Sequence, residues 1–335
     1  MWADHRAYTS YSSDMPEWKI PPADPSEIYL ERIRELEPEA HKRIKNQHVV
    51  SRVILKGFAA PGPGGKGWQL TPFDLRLGRE LKARGLGGCG KLPGFLEFAS
   101  ESAEQLWSTV ENQLDTAIKA ACDGHLHDQD AHVEAIKDGI ALHLVRSLRY
   151  LEIHRASVAQ SIEDVRRDAV HSRRALLQAE FYRRHGLLAA GPEALGTLLD
   201  EPISKWRSLD TRGATVRTSM EAMFRRVRAA FRRQAIEVWH VPIGYELLIS
   251  DSPAFTFQYL DGNTSVVPNV AIGDSHGVAL PVARNCLVII GPEAKDDELP
   301  PGQVSLFNEL QVTISHRYVY YRPGSRLKAF IQAML

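Results

Sequence analysis

Between Glu101 and Gln234 apolar residues recur at three-and-four spacing with few interruptions, and after Pro242 that period gives way to near-alternation between turn residues. No other feature of the chain restricts its fold as strongly. Leu106, Val110, Leu114, Ala117 and Ala121 predict a helix over Glu101–Ala121. Ala131–His154 and Val158–His185 predict two more, a Gly/Pro break covers Gly186–Gly196, and a last helix runs from about Val216 to Val238. Beyond Pro242, short runs at Tyr245–Ile249, Phe255–Leu260, Val278–Pro281, Cys286–Ile290 and Tyr318–Tyr321 read as strands, with Asp261-Gly262-Asn263 as a turn. The expected fold is α+β: a long-helix central region packed on a C-terminal antiparallel or mixed β-sheet. We expect residues 26–335 to form one domain, helical over about 101–238 and β-rich over about 243–325.

The N-terminal third is less regular. Residues 1–25 scatter Trp2, Tyr8, Tyr11 and Trp18 among polar residues and prolines, which suggests an extended arm that docks on the body or on a second subunit of a homo-oligomer. Ser26–Leu36 has helical spacing, and Pro38 ends it. Ser51 reads as the cap of a short helix carrying Val53, Ile54, Leu55 and Phe58, with His48 on its approach. Trp68–Leu77 reads as a strand pair or as a strand and turn. Gly85, Gly87, Gly88, Gly90 and Gly94 form a cluster. Gly90-Lys91 is followed by Leu92 and no strand precedes Gly85, so a phosphate loop is not formed and a flexible surface loop is expected.

Charge and cysteines narrow the class. The 335 residues carry 41 basic and 41 acidic side chains, net +0, which argues against a chain built to coat nucleic acid or an anionic membrane. The three cysteines, Cys89, Cys122 and Cys286, include no CxxC pair. Reduced thiols in the cytoplasm are expected, with neither a zinc ribbon nor a disulfide framework. No apolar core marks a secretory signal in residues 1–25, and no run is long enough to span a bilayer.

Three groups of polar residues invite chemistry. His125, His127 and His132 sit among acidic residues, but in an interhelix segment that aims no two rings at one ion, so a solvated loop is the simpler reading. His132, Gly139, His143, Arg146 and Tyr150 follow at intervals of seven, four, three and four, which puts them near one face of the second long helix. Arg225, Arg228 and Arg232 share a face that is solvated or salt-bridged. The GxSxG elbow is absent, and Gly62 and Gly64 do not open a dinucleotide fold.

Several of these segments, in order, resemble an uncharacterised, mostly bacterial family, the domain of unknown function numbered 4238, noted for an N-terminal His-x-x-Pro motif. The matching residues are His48-Val49-Val50-Ser51 with Leu55 and Phe58, then Arg146-Ser147 within Leu142–Arg149. Ile249-Ser250-Asp251-Ser252-Pro253 follows, with Trp239 upstream and Phe307-Asn308 downstream. Glu111 stands where the family often has a helix glutamate. Ser51 replaces the motif proline, a mild change if the position only starts a helix. Ser252 replaces an asparagine, which removes an amide.

The resemblance implies a candidate set of His48, Glu111, Arg146, Asp251 and Asn308. The helix-face spacing adds His143 and Tyr150 as substrate-binding residues. Imidazole and carboxylates suit a divalent metal or acid/base work, and arginine suits a phosphate. The expectation is a hydrolase acting on a phosphate-containing substrate, a nucleic acid or nucleotide, with a divalent metal as an optional cofactor. The alternative is a non-catalytic interaction or regulatory protein. In it, Asp251 caps a turn, His48 caps the helix start, and Arg146 pairs with Glu111 as a buried ion pair.

Overall fold

The computed structural model describes residues 26–260 and 265–335, so the aromatic arm and the Asp261-Gly262-Asn263 turn lie outside the described residues. Helix α1 (Ser26–Leu36) has the bounds its spacing predicts and tightens into a 3-10 turn at Glu37–Glu39, around Pro38. Next come β1 (Asn46–His48), α2 (Arg52–Gly57), β2 (Ala60–Pro61) and β3 (Trp68–Asp74). The short strands β4 (Arg79–Glu80), β5 (Arg84–Gly85) and β6 (Lys91–Pro93) complete the N-terminal part. Helix α2 has only 6 residues and would not persist alone. It is held because Ile54, Leu55 and the following Phe58 are fully buried. Burial of such a side chain contributes roughly 1.5–3 kcal/mol.

In α3 (Ser100–Cys122), Val110, Leu114, Ala117 and Ala121 are buried as their period requires, joined by Ala103, Trp107 and Ile118. The next stretch departs from its pattern. Helix α4 (Asp130–Val145) stops at Arg146, whose ψ of 55° is not helical. Ser147 is extended and caps α5 (Leu148–Ser172), its Oγ accepting the Tyr150 N–H at 3.2 Å. Tyr150 therefore opens a new helix and does not share a face with His132, Gly139 and His143. The apolar period carries on across this break, which hides it.

Helix α5 also takes in most of the expected third helix, and α6 (Arg174–His185) the rest. The Gly/Pro break contains α7 (Pro192–Gly196), and α8 (Asp200–Thr211) follows, with Asp200 and Glu201 in its first turn. Helix α9 (Ala214–Phe231) ends well short of Val238. The residues beyond it, whose Ile236, Val238 and Trp239 favour extended structure, form β7 (Ala235–His240).

Strands β8 (Ile249–Ser250), β9 (Phe255–Leu260), β10 (Ser265–Pro268), β11 (Gly277–Ala283), β12 (Cys286–Gly291) and β13 (Lys295–Glu298) follow. The chain ends with α10 (Pro301–Ile314), β14 (Tyr318–Tyr321) and α11 (Leu327–Met334). One six-stranded sheet has the order β10-β9-β11-β12-β7-β13. It is mixed, because β13 runs parallel to β7 while the other neighbours are antiparallel. Tyr318–Tyr321 does not belong to it. Strand β14 lies between β3 and β8 in a second sheet, so the C-terminal β residues divide between two sheets, one of which reaches back to the N-terminal third.

The molecule is thus α+β, with α2, α3 and α4 lying on β11 and β12. Every residue of those two strands is buried. One apolar core joins Val50, Leu114, Leu142, Val288 and Phe307, where Phe307 packs 6.4 Å from Phe255 and 6.2 Å from Phe257 between ring centres. By contrast α5 buries only Leu151 and α6 buries nothing, so these two helices contribute little to that core. Among the described residues no helix is long and apolar enough to cross a membrane.

Candidate functional site

The His48 segment is fixed from below. Strand β1 pairs antiparallel with β6, placing His48 opposite Lys91. The N–H groups of Val49 and Val50 both donate to the Gly90 carbonyl, at 2.8 and 3.3 Å, and the Gly90 N–H donates to the Tyr320 hydroxyl at 3.1 Å. Gly90 has φ +61°, and a Cβ there would come within 3.0 Å of Val50 Cβ and of Leu55 Cδ1. Only glycine meets both demands. Cys89 and Gly90 are buried, so this end of the glycine cluster is a packed support and not the flexible surface loop expected.

Ser51 holds the N-cap position of α2, as its reading predicts, but its side chain makes no capping hydrogen bond. Its Oγ donates to Glu111 Oε1 at 2.5 Å and accepts from Arg146 Nη2 at 2.8 Å. Its N–H donates to His143 Nε2 at 3.1 Å. Arg146 Nη2 also binds Glu111 Oε1 at 2.6 Å, and the guanidinium lies 4.9 Å from the centre of the Trp107 ring. Position 51 is therefore more than a helix start. A proline offers neither the N–H that His143 receives nor the hydroxyl that bridges Glu111 and Arg146.

The ring nitrogens of His143 have defined roles. Nδ1–H donates to the Gly139 carbonyl at 2.7 Å, which leaves Nε2 to accept from Ser51. The imidazole is thereby neutral. Burial first, and the Arg146 charge second, bring its pKa down to about 4. His48 is also lowered to about 4, by burial and then by Lys91, Arg52 and Arg146. Its Nε2 is buried and has no hydrogen-bond partner.

Helix α3 supplies a second carboxylate that the sequence reading missed. Glu104, Trp107 and Glu111 share a face through their spacing of three and four. Burial raises the pKa of Glu104, and the Glu111 charge adds to that against the opposing Arg146 and Arg52. For Glu111 burial also acts upward, but the charge of Arg146 and the hydrogen bonds from Ser51 and Arg146 outweigh it and hold the carboxylate below its ordinary range. Glu104 Oε1 and Arg146 Nε, like His48 Nε2, are buried without partners. Two carboxylates on one face are thus pushed in opposite directions around one arginine, a pattern that separates a proton-holding group from an ionised one.

Of the expected residues, His48, Glu111, His143 and Arg146 come together. Asp251, Asn308 and Tyr150 are engaged elsewhere. Asp251 accepts four hydrogen bonds, from Ser315 Oγ and the N–H groups of His316, Arg317 and Tyr318, at 2.9–3.0 Å. Asn308 accepts the Leu248 N–H at 2.9 Å and donates to the Glu246 carbonyl at 3.0 Å. Gln311, one turn on, does the same for Ser250 N–H and the Pro253 carbonyl, both at 2.8 Å. Tyr150 Oη meets Ser219 Oγ on α9 at 2.7 Å. The link from Asp251 to the cluster is Tyr320, which feels its charge and holds Gly90.

The other polar groups are paired or dispersed. His125 faces Asp128 at 3.2 Å and His127 faces the Lys295 carbonyl at 3.3 Å. Among the described residues no group of three or more His, Cys, Asp and Glu is placed to hold a metal ion. The arginine stripe is ion-paired, Arg225 to Glu221, Arg228 to Asp138 at 2.6 Å and Arg232 to Glu134 at 3.4 Å. Two cavities, of about 530 and 600 Å³, open along α5 and not between the helices and the sheet. The larger is lined by Ile33, His154, Val165, Trp206 and Thr215 among others.

Fold and cluster together define an α+β protein built round a buried, partly unsatisfied polar centre. The chain belongs to the family described as protein of unknown function (DUF4238), which it matches over residues 46–325. No curated protein and no solved structure matches it.

The two depressed histidines of the cluster give the fold a pH dependence with a defined sign. His48 and His143 have folded pKa values of about 4 against an ordinary 6.5. Between those values the unfolded chain binds more protons than the folded one, so stability rises with pH across the window and levels off above it. The urea midpoint is expected to drop steadily from pH 6.5 toward 4. His143→Gln, which retains an acceptor but no titrating ring, is expected to flatten part of that slope. A midpoint independent of pH in this window would rule the assignment out.

Proposed function

We propose that the cluster is a hydrolytic site for a phosphate-containing substrate, a nucleotide or nucleic acid. The observation that carries this is that three of the nine buried polar side-chain atoms without partners among the described residues, His48 Nε2, Glu104 Oε1 and Arg146 Nε, belong to the residues around one ion pair. Buried polar atoms are ordinarily satisfied, and a concentration of exceptions marks where a ligand supplies what the protein does not. Arg52, Lys91 and Arg146 all act on His48 and give the centre an excess of positive charge suited to a phosphoryl group.

In this reading His48, neutral at pH 7, takes a proton from the attacking water. Glu104, whose burial favours the protonated acid, returns one to the leaving oxygen as the P–O bond breaks. Arg146 offsets the charge on the phosphoryl oxygens. Glu111, Ser51 and His143 position Arg146, while Asp251 and Asn308 belong to the frame. No step is assigned to a metal ion. Cysteines free of disulfides accord with a cytoplasmic site of action.

The test is to incubate the purified protein with single-stranded RNA, DNA and nucleoside triphosphates, with and without Mg²⁺ or Mn²⁺. Cleavage is expected, with losses of roughly 10²-fold or more in His48→Ala and Glu104→Gln. Intact substrates throughout, or variants as active as the parent, would refute the reading. A second reading, that the cluster is structural in an interaction protein, draws on the closed ring of Ser51, Glu111, Arg146 and His143. It predicts no turnover and variants that lose stability alone.

A further inference from the structure

Helices α5 and α8 run antiparallel and are pinned to each other at two places. His154 Nε2 lies 3.8 Å from Asp210 Oδ1 at one of them, and Arg166 binds Asp200 at the other. The pins are twelve positions apart on α5, roughly 18 Å at about 1.5 Å per residue. Along this stretch opens the larger cavity, of about 600 Å³, a size usual for small-molecule sites. Its walls are mainly aliphatic: Val158, Ile162 and Val165 from α5, Ile203 from α8 and Ile33 from α1, with Trp206 beside them. Val165 is 61% exposed and Trp206 39%, so the two helices leave this apolar surface uncovered.

Polar groups gather toward the end held by Asp210. Thr215 Oγ1 donates to Asp210 and so accepts from His154 Nε2–H, at 3.4 Å. Burial lowers the pKa of His154 against the pull of Asp210, so the ring is neutral and its Nδ1 is an acceptor. Ser219 is engaged with Tyr150, and Thr218 with carbonyls of its own helix. Ser157 and Ser161 follow His154 by three and seven positions on the same face and line the cavity. Among the described residues their hydroxyls have no hydrogen-bond partner. His154 is the one titratable side chain in this lining.

We propose that the slot between α5 and α8 binds a neutral long-chain amphiphile, an alkyl chain that ends in a hydroxyl or carbonyl group. The chain lies along Val158, Ile162, Val165 and Ile203, and the polar end meets His154, Ser157 and Ser161. Charge complementarity selects a neutral ligand. The ion pairs at both ends are already matched, and a further carboxylate or ammonium would be buried without a counterion, which is costly. Five branched aliphatic walls against one aromatic favour a chain over a planar ring. This inference is independent of the hydrolytic reading.

The experiment titrates the full chain with 1-decanol and, separately, with decanoate at pH 7, and follows tryptophan emission. The chain has six tryptophans, so Trp206→Phe assigns the signal. Decanol is expected to shift the emission to shorter wavelength and to saturate at one molecule per chain. Decanoate is expected to bind at least about tenfold more weakly, because its charge goes unpaired. Ser161→Phe fills the slot from an exposed position and is expected to weaken decanol roughly tenfold, with the urea midpoint unchanged. No saturable shift, a shift that persists in Trp206→Phe, equal affinity for decanoate, or parent-like binding by Ser161→Phe would each overturn the proposal. So would a dimer, seen by light scattering, that Ser161→Phe dissociates, since a second copy would then fill the slot.

Discussion

Arg146→Leu is expected to destabilise the fold by about 3–5 kcal/mol, the range for stranding one member of a buried ion pair. The side chain of Arg146 is 1% exposed and that of Glu111 25%. Removing the guanidinium leaves the Glu111 carboxylate opposite Ser51 alone and takes the cation from the face of Trp107. Urea titration measures the loss. Combining Arg146→Leu with Glu111→Gln should cost less than the sum of the two single changes, because the stranded charge is gone. A single-variant cost below about 1 kcal/mol would mean that the pair is solvated and not built into the core.

Asp251→Ala should cost a comparable amount, about 4 kcal/mol, by a different route. One carboxylate, 6% exposed, receives the N–H groups of three consecutive residues, His316 to Tyr318, and the Ser315 hydroxyl. Without it those backbone donors at the entry to β14 lose their acceptor, and each orphaned donor costs on the order of 1–3 kcal/mol when it stays dry. Asp251→Asn should retain part of the stability, as one acceptor oxygen remains. After correction for the folded fraction, any phosphate-ester cleavage should be unchanged in Asp251→Ala. Loss of turnover in a fully folded Asp251 variant would move this residue from the frame into the reacting centre.

The contrast between these residues shows what sequence carries. The Glu111–Arg146 pair is legible through the family resemblance, which singles out Glu111, and through the rule that burial of one ion demands the other. Glu104 is harder to see. Nothing in the sequence separates it from the solvent-facing glutamates of α3 until Arg146 defines which face is the site. Ser51 reads as a helix cap because serine usually caps, but Glu111 and Arg146 compete for its hydroxyl and win. Asp251 and Asn308 fall among polar residues whose type is shared by catalysts and backbone staples alike, and only their partners distinguish the two.

Element boundaries follow the same logic. Helices α1 and α3 are legible because period and core agree along their length. The break at Arg146 and the end of α9 are not, because apolar residues continue through both without a glycine or proline. Strand β14 is visible as a strand, yet its pairing with β3 joins residues 68–74 to 318–321, a long-range choice that local pattern does not encode.

The ring around Arg146 also sets a timetable. Glu111 leaves the ribosome 35 residues ahead of Arg146, and Ser51 leaves 95 residues ahead. At about 5–20 residues per second, Ser51 waits roughly 5–20 s for its cationic partner. Until Arg146 emerges, docking α3 would place an uncompensated carboxylate in the interior. The apolar stripe of Val110, Leu114 and Ala117 is on the same helix and waits with it, exposed to whatever receives nascent chains.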